Sequence, residues 1–79
     1  MKVLYVSPFF LNENGEGRKF MIPSVGLKTY QKRDAALIEM RALGGIHAKL
    51  TPEFLDLRNQ MMRAKRKIER EGWFSESVA

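Results

Sequence analysis

The sequence predicts an α+β domain: an N-terminal antiparallel β-hairpin, with room for a short third strand, followed by two α-helices of which the second is longer. Three stretches carry that prediction. KVLYVSPFFL at residues 2–11 is dense in β-branched and aromatic residues, the composition that fits a pleated, half-buried surface. NENGEG at residues 12–17 holds an Asn-Gly pair, a strong short-range signal for a tight hairpin turn. Thr51-Pro52-Glu53 opens a stretch that runs to Gly72, joining an N-cap, a first-turn proline and a first-turn acid to a terminating glycine.

In the first strand nearly every position is apolar, and Pro8 argues for an edge because it donates nothing to a ladder. A two-residue type I′ turn centred on Asn14-Gly15 pairs Leu11 with Arg18, Phe10 with Lys19 and Phe9 with Phe20. The last pair makes a cross-strand aromatic contact. Gly17 invites a bulge and a shift of this register. The second strand, RKFMI, ends at Pro23. Ser24–Lys28 is either a short third strand or a connector, which completes a hairpin region over 2–28.

The first helix is predicted over 29–44, opened by Thr29 or Asp34 and stopped at Gly44-Gly45. At about 100° per residue, Ala36, Met40 and Leu43 share a face with Leu37 on its shoulder, while Asp34, Ile38 and Arg41 fall opposite. Ile46–Leu50 joins it to the second helix, predicted over 51–72. There Phe54, Leu57, Met61, Ala64 and Ile68 recur every three or four residues within an arc of about 80°. Trp73 follows Gly72 at once and is placed to pack back on Ile68. The tail, residues 75–79, is expected to fray.

The chain of 79 residues makes a single small domain whose core supplies limited net stability. It contains no cysteine, so disulfides and thiolate metal sites drop out together, and the lone His47 supports no metal centre. Self-association into a homodimer is one remaining source of stability. No run approaches the roughly 18 apolar residues of a membrane span. Val3–Leu11 lacks the flanks of a signal peptide, since only Lys2 precedes it, Pro8 interrupts it and no small-x-small site follows. The expected setting is cytoplasmic, with no membrane partner.

Function is read from charge. With 14 Lys and Arg against 9 Asp and Glu, the formal net charge is +5, which favours encounter with nucleic acid or an acidic protein surface. Arg63, Arg66, Lys67 and Arg70 cover an arc of about 100° opposite the apolar stripe of the second helix, able to lie along phosphates. Lys67 with Glu71 and Arg66 with Glu69 are also spaced for surface ion pairs. Arg18 and Lys19 beside the turn, with Lys32 and Arg33 early in the first helix, form a second basic set. A hairpin with basic residues near its tip can act as a β-ribbon against DNA. In element order alone, hairpin then helix resembles the arm-type DNA-binding domains of phage integrases.

The leading expectation is a small basic regulatory protein of the phage or mobile-element accessory type, binding nucleic acid through these eight residues. The alternative is an adaptor, or a phage-encoded inhibitor of a host nucleic-acid-processing enzyme, that binds protein through Trp73, Phe74 and Phe10 together with basic side chains. Catalysis is not expected. The sequence has no GxSxG, HExxH or glycine-rich phosphate loop, the turn lacks a strand–loop–helix setting, and the acids are explicable as caps and ion pairs. No cofactor is implied.

Overall fold

In the computed structural model, which describes residues 1–78, strand β1 (Lys2–Leu11) and strand β2 (Gly17–Pro23) form an antiparallel hairpin. Helices α1 (Leu27–Ala42) and α2 (Pro52–Glu71) follow, and strand β3 (Glu76–Ser77) ends the order. The sheet order is β1-β2-β3, all antiparallel. The fold class is the one read from the sequence, but the third strand comes from elsewhere. Ser24–Gly26 is a single 3-10 turn leading straight into α1. Residues expected to fray supply the strand instead, with Phe20 opposite Ser77 and Met21 opposite Glu76. β2 has a free edge that this segment fills, and two further bonds hold it there. The Val78 amide donates to the Lys19 carbonyl at 3.0 Å, and the Lys2 ammonium donates to Glu76 Oε1 at 2.6 Å. That hydrogen bond and the lysine's charge hold the Glu76 carboxyl below its usual range. Ala79, the end of the predicted frayed tail, lies outside the described residues.

The hairpin turn is looser than a type I′ turn. Asn12 and Glu16 close a three-residue loop, with Asn12 N donating to Glu16 O at 2.8 Å. Asn12 Oδ1 accepts from the amides of Asn14 and Glu16, both at 3.0 Å. Only glycines among the described residues have positive φ, so Asn14 does not adopt the αL conformation that I′ demands, and Gly15 alone supplies it with φ 78°. The register changes with the turn. Lys2 to Val6 pair regularly with Pro23 to Lys19, and pairing resumes only at Leu11 opposite Gly17. Phe20 therefore faces Tyr5, not Phe9. The irregularity sits on β1, at Ser7–Phe10. Pro8 cannot join a ladder, and Ser7 Oγ takes over, accepting from the amides of Phe9 (3.2 Å) and Phe10 (2.9 Å).

α1 begins at Leu27 without a side-chain cap. Neither Thr29 nor Asp34 opens it; both are buried within it. Asp34, expected on the outer face, is fully buried because α1 has two packed sides. One side meets α2, and the other meets β1. There the Asp34 carboxylate accepts from Tyr5 OH at 2.6 Å, Ser7 Oγ at 2.7 Å and Arg33 Nε at 3.0 Å. The Ser7 hydroxyl thus uses its donor on Asp34 and both acceptor sites on the bulge amides. No buried side-chain polar atom among the described residues lacks a partner.

α2 follows its sequence signals closely. Thr51 Oγ1 accepts from Phe54 N at 3.2 Å, and Gly72 ends the helix with φ 70°. Phe54, Leu57, Ala64 and Ile68 are buried, with Met61 half-buried between them. The core cluster joins Tyr5 and Ile22 of the sheet to Tyr30 of α1 and Ile68 of α2, with Val3, Phe20, Leu27 and Trp73 packed around it. Trp73 does pack back on the helix: its amide donates to the Ile68 carbonyl at 3.0 Å, and its own carbonyl accepts from Tyr30 OH.

Candidate functional site

A basic surface lies where α1 and α2 run side by side. Acids of α2 sit only at its ends, Glu53 and Asp56 before and Glu69 and Glu71 after, so residues 57–68 carry Arg58, Arg63, Lys65, Arg66 and Lys67 with no acid among them. The helix period turns the apolar stripe inward. As a result Arg63, Arg66, Lys67 and Arg70 are all exposed.

A groove of about 560 Å³ opens between the two helices. Ala35 and Ala36 of α1 and Ala64 of α2 line it, and small side chains facing one another leave the space. Lys32 from α1 and Arg63 and Lys67 from α2 stand around it, with Thr29 and Gln60 adding hydrogen-bonding groups. Glu39 is its single acid, about two helical turns along α1 from Lys32. A second concavity, about 420 Å³, adjoins through Arg63 and is lined by Arg58, Asn59, Met62 and Arg66. Basic groups therefore continue from the groove onto the outer side of α2.

Of the eight basic residues expected to act together, the fold gathers four here: Lys32, Arg63, Lys67 and Arg66. Arg70 lies farther along, 3.6 Å from Glu71. That contact, and not the Lys67–Glu71 or Arg66–Glu69 spacing, is the ion pair α2 makes among the described residues. The Lys67 ammonium also lies 5.7 Å from the centre of the Trp73 ring, a cation–π distance that leaves its donors available. Arg33 is withdrawn from the surface. Its side chain is 19% exposed, bound to Asp34 and laid over the rings of Tyr30 (4.8 Å) and Phe10 (5.3 Å). Arg18 and Lys19 line a separate concavity by the hairpin turn, shared with Glu13 and Glu16, which offset their charge.

The three aromatic positions separate in the same way. Trp73 is half-buried against the core, with its ring over Gly26. Phe10 stacks edge-on with Phe9 and Phe20 beneath Arg33. Phe74 is the most open of the three, 62% exposed against 39% for Phe10.

Arg58, Thr29 and Gln60 join the site without having been singled out in sequence. The signal for Arg58 was present, since it begins the acid-free run of α2. Thr29 and Gln60 carry no signal of their own and enter only because the two helices are adjacent. No group of three or more His, Cys, Asp or Glu among the described residues could hold a metal ion, and no described helix is long and apolar enough to cross a membrane. No known protein family, curated protein or solved structure matches the chain.

Proposed function

We propose that the chain is a small non-enzymatic regulatory protein that binds nucleic acid along the α1–α2 groove. Lys32, Arg63 and Lys67 contact phosphate oxygens there, and Arg66 and Arg58 extend the contact over the outer side of α2. The observation that carries this reading is the convergence of three cationic side chains from two helices on one alanine-lined groove with a single acid. Such an array attracts the polyanion at long range and holds its phosphates by charge-assisted hydrogen bonds. Its contacts are to the backbone, so they position a strand without reading its sequence. Arg33, Arg18 and Lys19 contribute less, one tied to Asp34 and the others beside acids.

The test is a titration with duplex DNA, single-stranded DNA and RNA at several salt concentrations. Affinity should fall steeply with salt, by roughly 0.9 log units per log unit of salt for each phosphate neutralised on a duplex. The Lys32→Gln/Arg63→Gln/Lys67→Gln variant should lower affinity and flatten that slope by roughly three contacts' worth. All three side chains are solvent-exposed, so its thermal unfolding should match the parent. Absence of binding at low salt removes this reading and leaves an acidic protein surface as the partner the charges fit. Unchanged affinity in the triple variant places the site elsewhere.

A further inference from the structure

A second groove lies at the other end of the helix pair, where the linker between α1 and α2 folds back beside the β1 bulge. Its volume is about 500 Å³. Phe9, Leu37, Met40 and Phe54 line it, and Ile46 and Leu50 of the linker stand at its edge. Those two linker side chains are 96% and 72% exposed, a large apolar area to leave in water at about 25 cal/mol per Å². The charged residues of the lining are Arg41 and Arg58, and it contains no acid. Arg41 is held in place, with its guanidinium 4.6 Å from the centre of the Phe9 ring and Nη1 donating to the Phe9 carbonyl at 3.4 Å.

We infer that this groove takes an acidic, amphipathic peptide segment of another protein. Apolar side chains one helical turn apart fill the space between Leu37, Met40 and Phe54, and flanking carboxylates meet Arg41 and Arg58. Apolar anchors in a groove with a charged rim are the way an amphipathic helix is recognised. Two other occupants fit less well. A nucleic acid would satisfy the arginines but offers no aliphatic side chains for the lining, and the exposed face of Phe9 is already covered by Arg41. A second copy meeting the groove about a twofold axis would bring Arg41 and Arg58 against the same two residues. Arg58 borders both this groove and the nucleic-acid site, but Ile46 and Leu50 take no part in the latter, so substitutions there test this inference separately.

Panning a random helix-scaffolded peptide library on the intact chain, with counter-selection on Ile46→Asp/Leu50→Asp, tests the inference. Both substituted positions are exposed, and the circular dichroism melt of the double variant serves as the folding control. Selected peptides should share apolar residues one turn apart and an excess of Asp and Glu. They should bind the parent roughly tenfold or more tightly than the double variant, and lose affinity for Arg41→Gln. The double variant should still bind DNA with a steep salt dependence, weakened only by the two negative charges it adds. The inference is overturned if no peptide distinguishes the parent from the double variant, or if the selected peptides carry no net negative charge. It is equally overturned if the parent sediments as a dimer that the same two substitutions dissociate, since the occupant is then a second copy.

Discussion

Asp34 is the residue on which the most depends. Its carboxylate accepts from Tyr5, Ser7 and Arg33 in the interior, and through Ser7 it fixes the β1 bulge. Removing it takes the carboxylate acceptor from two buried hydroxyls, leaving Tyr5 only a 3.5 Å contact to the Tyr30 carbonyl, and leaves one guanidinium without its anion. Asp34→Ala should therefore cost about 3 kcal/mol or more, whereas Tyr5→Phe, which removes one donor of three, should cost about 1 kcal/mol. Urea midpoints would check that order, and equal losses would show that the network is not what holds α1 to β1. Tyr5 also predicts a pH dependence. Burial first, then its hydrogen bond to Asp34 and that carboxylate's charge, hold the phenol well above its ordinary value of about 10. A pKa raised in the folded state means stabilisation that is complete below the unfolded value and lost as pH rises past it. The stability advantage of the parent over Tyr5→Phe should thus narrow from about pH 9 to about pH 11. A constant difference across that range would refute the assignment. None of this was visible from spacing. The two hydroxyl partners of Asp34 lie 27 and 29 residues away, and the helical wheel of α1 alone puts the aspartate on the side away from the apolar stripe.

Among the elements, α2 was the most legible, because its cap, apolar stripe and terminating glycine are all local features. The hairpin was legible as a hairpin but not in its register. A type I′ turn and a three-residue loop use the same Asn and Gly, and only the bulge held by Ser7 separates them. The end of α2 shows how elements lock together. A Cβ on Gly26 would lie 3.2 to 3.3 Å from three atoms of Trp73. Trp73 has little room to yield, since both its amide and its carbonyl are bonded, to Ile68 and Tyr30. Gly26→Ala should cost about 1 to 3 kcal/mol, the usual range for forcing extra volume into a packed site. It should also shift the tryptophan fluorescence to the red as the ring moves out. An unchanged melt and spectrum would mean that the ring slides freely over this turn.

At the scale of the molecule, the shape decides which charges can work together. The Cα extents are 39 × 32 × 14 Å, a flat body in which α1 is flanked by β1 on one side and α2 on the other. In such a plate the hairpin turn and the α1–α2 groove are separate concavities with no residue in common. Arg18→Gln/Lys19→Gln should accordingly weaken the proposed nucleic-acid binding far less than the triple change in the groove. An equal loss, measured in the same salt titration, would mean that the polyanion spans both. The chain is small and without cysteine, so its margin of stability is a few kcal/mol. Binding measurements on core variants should therefore be paired with melts.

By itself the sequence determined the class of the fold, the two helices, the core stripe of α2 and the outward direction of its basic arc. These depend on helical periodicity, capping and turn chemistry, which act over a few residues. It also showed that Arg63, Arg66 and Lys67 would be available. Tertiary structure decided which side chains they would join. It brought Lys32 to them, drew Arg33 inward to Asp34, set Trp73 against Gly26 and Tyr30 and recruited residues 76–77 as the third strand. Each of these outcomes depends on pairing between residues distant in the chain, where burial and an available donor or free strand edge outweigh local preference.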